Sequence, residues 1–212
     1  MRTSSWRGTR SAFTQHRDGG QGRGRPLEGL RAHIDEPGKP GKPGKPRTPD
    51  DRIASALVAP HAKVLTVSES VHAGTREDRS GAALADLLTQ SGFEVIERRT
   101  VPDGVEPVAS AIVDMAGGFS GLLVTTGGTG FSPADLTPEA TLRVVDRQAP
   151  GFAEAMRAVS PLGRLSRGVA GTLGNCLVLN VPGSPSGATE SLAAVLDAVP
   201  HALDLLSGGR PH

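Results

Sequence analysis

Three short, nearly continuous apolar runs constrain this chain more than any other feature. They are KVLTVS (Lys63 to Ser68), GLLVTT (Gly121 to Thr126) and CLVLNV (Cys176 to Val181). Runs of this length suit strands with both faces buried. A fourth segment, FEVIERRTV (Phe93 to Val101), alternates and predicts a further strand. Helical patterns separate these runs. Leu84, Leu87 and Leu88 lie at helical spacing between Asp78 and a helix-ending Gly92. Further helices are predicted over Val105–Ala116, Pro138–Asp146, Phe152–Val159 and Ala188–Leu206. Strands that alternate with helices predict an α/β fold, a mostly parallel sheet with helices on both faces.

The first 50 residues have a different texture. They hold 11 Lys/Arg and 5 Asp/Glu, a balance of +6, whereas the remaining 12 and 17 give −5. Pro37 to Pro46 reads PGKPGKPGKP, too few repeats for a triple helix and suited to an extended linker. We therefore divide the chain into a basic Gly/Pro/Arg-rich extension, residues 1–53, and an α/β domain, residues 54–212. Two readings of the extension stay open, a solvated arm or a contact with a polyanion. Nucleic acid is not an expected partner of the domain. The chain has no Tyr, and its single Trp, Trp6, lies in the extension, so the domain lacks a stacking platform for bases.

Cys176 is the only cysteine, which excludes an intrachain disulfide and fits a reducing, cytoplasmic setting. No apolar run approaches the roughly 18 residues of a membrane span, and no signal-peptide core precedes the domain. Cys176 reads as a small core residue. His61, His72 and His201 are scattered, with no acid or nucleophile at motif spacing. Ser184 lies in PGSPSG, which is not a nucleophile elbow.

Ligands of such sheets bind beyond the carboxyl ends of the strands. Three loops occupy that position: SESVHAGTREDRSG (Ser68 to Gly81), TTGGTG (Thr125 to Gly130) and NVPGSPSG (Asn180 to Gly187). Glycine lets backbone N–H groups approach a ligand, and successive N–H groups can hold an anion. The second loop matches neither a P-loop nor a dinucleotide fingerprint. It reads either as a tight turn or as an anion site, and the similar PGSP loop favours the anion site. Asp135 lies in this loop, ahead of a helix for which Thr137 is the expected N-cap. Asp103, in VPDG, holds the equivalent place after the preceding strand. On neighbouring strands the two carboxylates could share a divalent cation; Asp103 also reads as a plain Asp-Gly turn residue.

TTGGTGFSPADLTPEAT, PGFAEAMR, LSRGVAG and LNVPGSP, in this order, resemble the molybdopterin-binding family of molybdenum-cofactor biosynthesis proteins, molybdopterin adenylyltransferases above all. The resemblance covers roughly Lys63 to Gly208. It implies a doubly wound, three-layer domain that forms trimers or hexamers. It implies transfer of AMP from ATP to the terminal phosphate of molybdopterin, with Mg²⁺ and release of pyrophosphate. The molybdate-inserting enzyme of the pathway is then an implied partner. Carried over by position, Gly127, Gly128, Thr129 and Gly130 receive phosphate and pterin, and Asp103 and Asp135 serve metal binding and catalysis. Ser166, Asn180, Pro182, Gly183 and Ser184 match the pterin side. Asp78, Ser80 and Gly81 match the loop that borders the nucleotide. The family often shows Ser-Asp after the first strand, where this chain has Ser68-Glu69. Some relatives bind the pterin without clear catalytic activity, so a non-catalytic scaffold is the alternative reading.

Overall fold

A computed structural model describes residues 59–209. The readings for the extension, residues 1–53, lie outside the described residues. Six strands form one sheet in the order β2-β1-β3-β6-β5-β4. They are β1 His61–Val67, β2 Glu94–Val101, β3 Gly121–Thr126, β4 Arg147–Gln148, β5 Ala170–Leu173 and β6 Cys176–Val181. β2, β1, β3 and β6 run parallel, while β5 and β4 add an antiparallel margin. The helices are α1 Glu69–His72, α2 Arg79–Gln90, α3 Val105–Ala116, α4 Thr137–Val144, α5 Pro150–Ala158, α6 Pro185–Ala193 and α7 Val199–Leu206. A 3₁₀ turn covers Pro161–Leu165.

The apolar strand runs serve two cores. On β1, Ala62 and Val64 face α2, α5, α6 and α7, where Leu84, Leu88, Met156, Leu192 and Leu203 are buried. Leu65 and Val67 face the opposite layer, with Val108, Ile112 and Met115 of α3 and Ala140 of α4. β6 divides in the same way, Leu177 and Leu179 to one side and Cys176 and Val178 to the other. Period-two alternation through a wholly apolar strand therefore feeds helices on both faces.

Four expectations change. The helix predicted over Ala188–Leu206 is two helices, because Pro200 has no N–H to donate and stands in the first turn of a new one. Thr137 is not the N-cap of α4. Leu136 holds that position, and Thr137, inside the first turn, donates its hydroxyl to the Gly127 carbonyl at 2.9 Å. β4 and β5 are additional, short and antiparallel. Finally, β2 and β3, whose loops carry Asp103 and Asp135, are not neighbours, since β1 lies between them.

Candidate active site

β1, β3 and β6 are adjacent and parallel, so the loops that leave them open on one edge of the sheet. The order of connection reverses between β1 and β3, the usual place for a ligand crevice. A cleft of about 370 Å³ lies there. Ser68, Asp103, Gly127, Gly128, Gly183 and Ser184 line it, together with Arg76, Glu77, Arg79 and Ser80. The β1 and β6 loops are fixed by side-chain caps on the helices they enter, whereas the β3 loop enters α4 without one. The Ser68 hydroxyl accepts from Val71 N at 3.4 Å, the Asp78 carboxylate from Gly81 N at 2.9 Å, and the Ser184 hydroxyl from Gly187 N at 3.3 Å.

The glycine loop turns its peptide planes in one sense. The Gly127 carbonyl accepts from the Thr137 hydroxyl at 2.9 Å, and the Gly128 carbonyl from Thr137 N at 3.1 Å. The Thr129 carbonyl accepts from Arg167 N at 2.8 Å, and the Gly130 carbonyl from Arg167 Nε at 2.7 Å. Four successive carbonyls are thus held by two residues. The N–H groups of Gly128, Thr129, Gly130 and Phe131 donate to nothing among the described residues. Gly127 (φ 102°) and Gly128 (φ 62°) take backbone conformations that L side chains avoid, and a β-carbon on Gly127 would collide with the Val67 carbonyl. A β-carbon on Gly183 would lie 3.2 Å from the Gly127 α-carbon, so the two glycine loops meet backbone to backbone.

The two carboxylates differ in surroundings. Asp103 faces the cleft, and its Oδ2 accepts from Glu69 N at 3.0 Å. Asp135 lies away from the cleft lining. Its Oδ2 accepts from Ser132 N at 2.7 Å, and its backbone carbonyl accepts from Arg167 Nη2. No group of three or more His, Cys, Asp or Glu gathers into a metal cage among the described residues. Arg167 also pairs with Glu139, and that guanidinium holds the Glu139 carboxyl below its usual range. Burial pushes the Cys176 thiol up to about 12, which keeps it protonated and unsuited to nucleophilic attack.

The family model described as "Probable molybdopterin binding domain" matches residues 63–201. The chain belongs to the molybdopterin-binding domain family. It is 37% identical over 155 residues to the molybdopterin adenylyltransferase of Helicobacter pylori strain J99, covering 70% of this chain and 88% of that protein. It is 35% identical over 165 residues to the Escherichia coli K12 enzyme of the same name, covering 68% and 84%. Among solved structures, the molybdopterin biosynthesis enzyme MoaB from Thermus thermophilus superposes with a TM-score of 0.67 at 44% identity, over 72% of this chain and 98% of that one. The molybdopterin biosynthesis Mog protein from Mycobacterium ulcerans gives 0.66 at 39%, over 71% and 99%.

This molybdopterin-binding domain brings Asp103, Gly127, Gly128, Gly183, Ser184 and Ser80 of the sequence-predicted residues into one cleft. Thr129 and Gly130 continue the same loop beyond it. Ser166, Asn180 and Pro182 border a separate cavity of about 10 Å³, room for one water at most. Asn180 is 2% exposed, and both hydrogens of its amide are engaged: Nδ2 donates to Thr125 at 2.9 Å and Thr141 at 3.0 Å, while Oδ1 accepts from Val169 N at 3.1 Å. Its side chain is therefore held chiefly by the fold, with one lone pair of Oδ1 left over. Asp78 is likewise engaged, with Thr66, Gly81 and Arg98. Its partner Gly81 stands there because a β-carbon would lie 2.5 Å from Thr66 Oγ1. A cation shared by Asp103 and Asp135 was expected from neighbouring strands, and the intervening β1 removes that premise. Sequence reasoning missed Arg76, Glu77 and Arg79 as cleft residues, and Arg167 as the holder of the glycine loop. The one available signal for Arg167 was its place in LSRG, beside the chosen Ser166.

Proposed function

We propose that the chain is a molybdopterin adenylyltransferase. A terminal phosphate oxygen of molybdopterin attacks the α-phosphorus of ATP, the bond from that phosphorus to the bridging oxygen breaks, and pyrophosphate leaves. The adenylylated pterin is then ready for molybdate insertion. The carrying observation is the single cleft in which two glycine loops and the β1 loop converge, in a chain that spans most of the length of relatives bearing that name. Both substrates carry phosphates, and the reaction needs positioning and charge neutralisation more than covalent catalysis. The unpartnered amides from Gly128 to Phe131 are suited to phosphate oxygens. Arg76 and Arg79 add positive charge to the cleft wall, and Ser80 and Ser184 add hydroxyls.

The residues fit a Mg²⁺ ion carried in with the triphosphate. Such an ion takes one or two carboxylates and fills its shell with phosphate oxygens and water, so it needs no protein cage. Asp103 would supply that carboxylate, with Oδ1 uncommitted among the described residues. When bound, the ion would neutralise charge on the triphosphate. Asp135, by closing the turn at Ser132, sets the course of the loop beyond Gly130. The remaining residues of the pterin side, Ser166 and Pro182, belong to the same reading, as do assembly into trimers or hexamers, a cytoplasmic location and hand-over to a molybdate-inserting enzyme. Among the described residues no helix is long and apolar enough to cross a membrane.

The test is pyrophosphate release by the purified chain. Release that requires ATP and molybdopterin together is expected. Tight binding of both without release would leave a pterin-binding scaffold as the better reading.

A further inference from the structure

We infer that Arg167 is a positioning residue that aims the amides of the glycine loop at an anion; the phosphate identity of that anion rests on the function proposed above. No peptide in the described chain is cis. In a trans peptide the carbonyl and the following N–H point in opposite directions. Gripping the Thr129 and Gly130 carbonyls from one side therefore turns the N–H groups of Gly130 and Phe131 to the other. Arg167 does this with its own backbone N–H at 2.8 Å and with Nε at 2.7 Å. Nη2 reaches the Asp135 carbonyl, and Glu139 holds the far end of the fork. The planar guanidinium makes these contacts in one fixed geometry, which a lysine ammonium cannot reproduce.

Thr137 performs the matching task on the two preceding planes. Its N–H and hydroxyl take the Gly128 and Gly127 carbonyls, which turns the amides of Gly128 and Thr129. Four adjacent amides without a protein partner among the described residues, on a loop where Phe131 is exposed and Gly128 and Gly130 are half-buried, are open donors that water fills in the free chain. An anion replaces that water with charge-assisted bonds. Arg167 lies 37 residues from Gly130 in sequence and just after Ser166, so it also ties the loop to the segment matched to the pterin side.

The experiment measures calorimetric affinity of the full chain for inorganic pyrophosphate, a probe that needs no turnover. Arg167→Gln should weaken binding by about tenfold or more, the effect of misdirecting an oriented donor. Ethylguanidinium added to Arg167→Ala, whose truncated side chain leaves that space open, should restore binding, since it can donate to the same Gly130 and Asp135 carbonyls. A residue that served stability alone would not show that rescue. Arg167→Lys should remain weakened by about fivefold, and it carries the test if Arg167→Gln does not fold. Wild-type affinity in Arg167→Lys would show that charge alone suffices and would overturn the inference. So would wild-type affinity in Arg167→Gln, or no pyrophosphate binding by the wild-type chain. Adenylyl transfer is scored separately: a wild-type chain that binds pyrophosphate as described but releases none from ATP and molybdopterin would sink the proposed activity and leave the role of Arg167 standing.

Discussion

Thr137 closes directly on Gly128: its backbone N–H donates to the Gly128 carbonyl at 3.1 Å, and its hydroxyl stands where a β-carbon of Gly128 would have to go. The loop is thus held from behind by a side chain that leaves no room for another. Gly128→Val adds a branched side chain at a φ of 62°, in the left-handed region, and displaces the Thr137 hydroxyl. Loss of molybdopterin binding is expected, with the far-UV circular dichroism of the helices retained. Wild-type affinity in this variant would reduce the loop to a turn.

Asn180→Ala should act on stability and not selectively on pterin binding. The change leaves the Thr125 and Thr141 hydroxyls and the Val169 N–H without their buried partner. Leaving one such group unsatisfied typically destabilises by roughly 1–3 kcal/mol. Denaturant unfolding should show a loss in or above that range. An unchanged midpoint with pterin binding abolished would return Asn180 to the site itself.

The Arg167–Glu139 pair predicts an acid-sensitive loop. The folded pKa of Glu139 is depressed, first by its hydrogen bond to Arg167. A depressed carboxyl contributes its stabilisation in full above the ordinary glutamate value of about 4.3 and loses it as pH falls through the folded value. The ratio of pyrophosphate affinities between the wild-type chain and Glu139→Gln, which cancels the ligand's own protonation, should hold between pH 7 and pH 5 and shrink below about pH 4. Glu139→Gln should show the weakened state already at pH 7. A variant indistinguishable from wild type at both values would remove Glu139 from the clamp.

Residues 1–50 lie outside the family match, which begins at residue 63. A chain beginning at Asp51 should bind ATP and molybdopterin and release pyrophosphate within about twofold of the full chain, the scatter of a change remote from the chemistry. A large loss of turnover in the shortened chain would assign the basic arm a part in the site.

Much of the frame was legible because burial on both faces leaves a plain mark. GLLVTT and CLVLNV are β3 and β6 residue for residue, and Val105–Ala116 is α3. The antiparallel margin was not legible. AGTL is four residues with two small ones, and β4 is two exposed residues, so neither carries an apolar run. The pattern AAVLDAVPHALDLL stays periodic through Pro200, which hid the break between α6 and α7. Within the site, glycine marked the loops, because bare backbone is the requirement itself. It could not mark Arg167, whose role lies in which carbonyls it reaches across the fold. Nor could a motif separate Asp103, on the cleft, from Asp135, turned into its own loop.

The adenylyl-transfer reading meets its most direct test in Asp103→Asn, assayed beside the wild-type chain for pyrophosphate release and for molybdopterin affinity. The amide keeps the shape and the acceptor for Glu69 N, and removes only the charge that faces the cleft. A charge that acts as the α-phosphate is attacked contributes to turnover far more than to pterin binding. The expected result is wild-type release that requires both substrates, a fall of about a hundredfold in the variant, and molybdopterin affinity within about twofold, since that interaction is made chiefly in the transition state. Equal turnover in the two chains, or no release by the wild type, would contradict adenylyl transfer at this cleft.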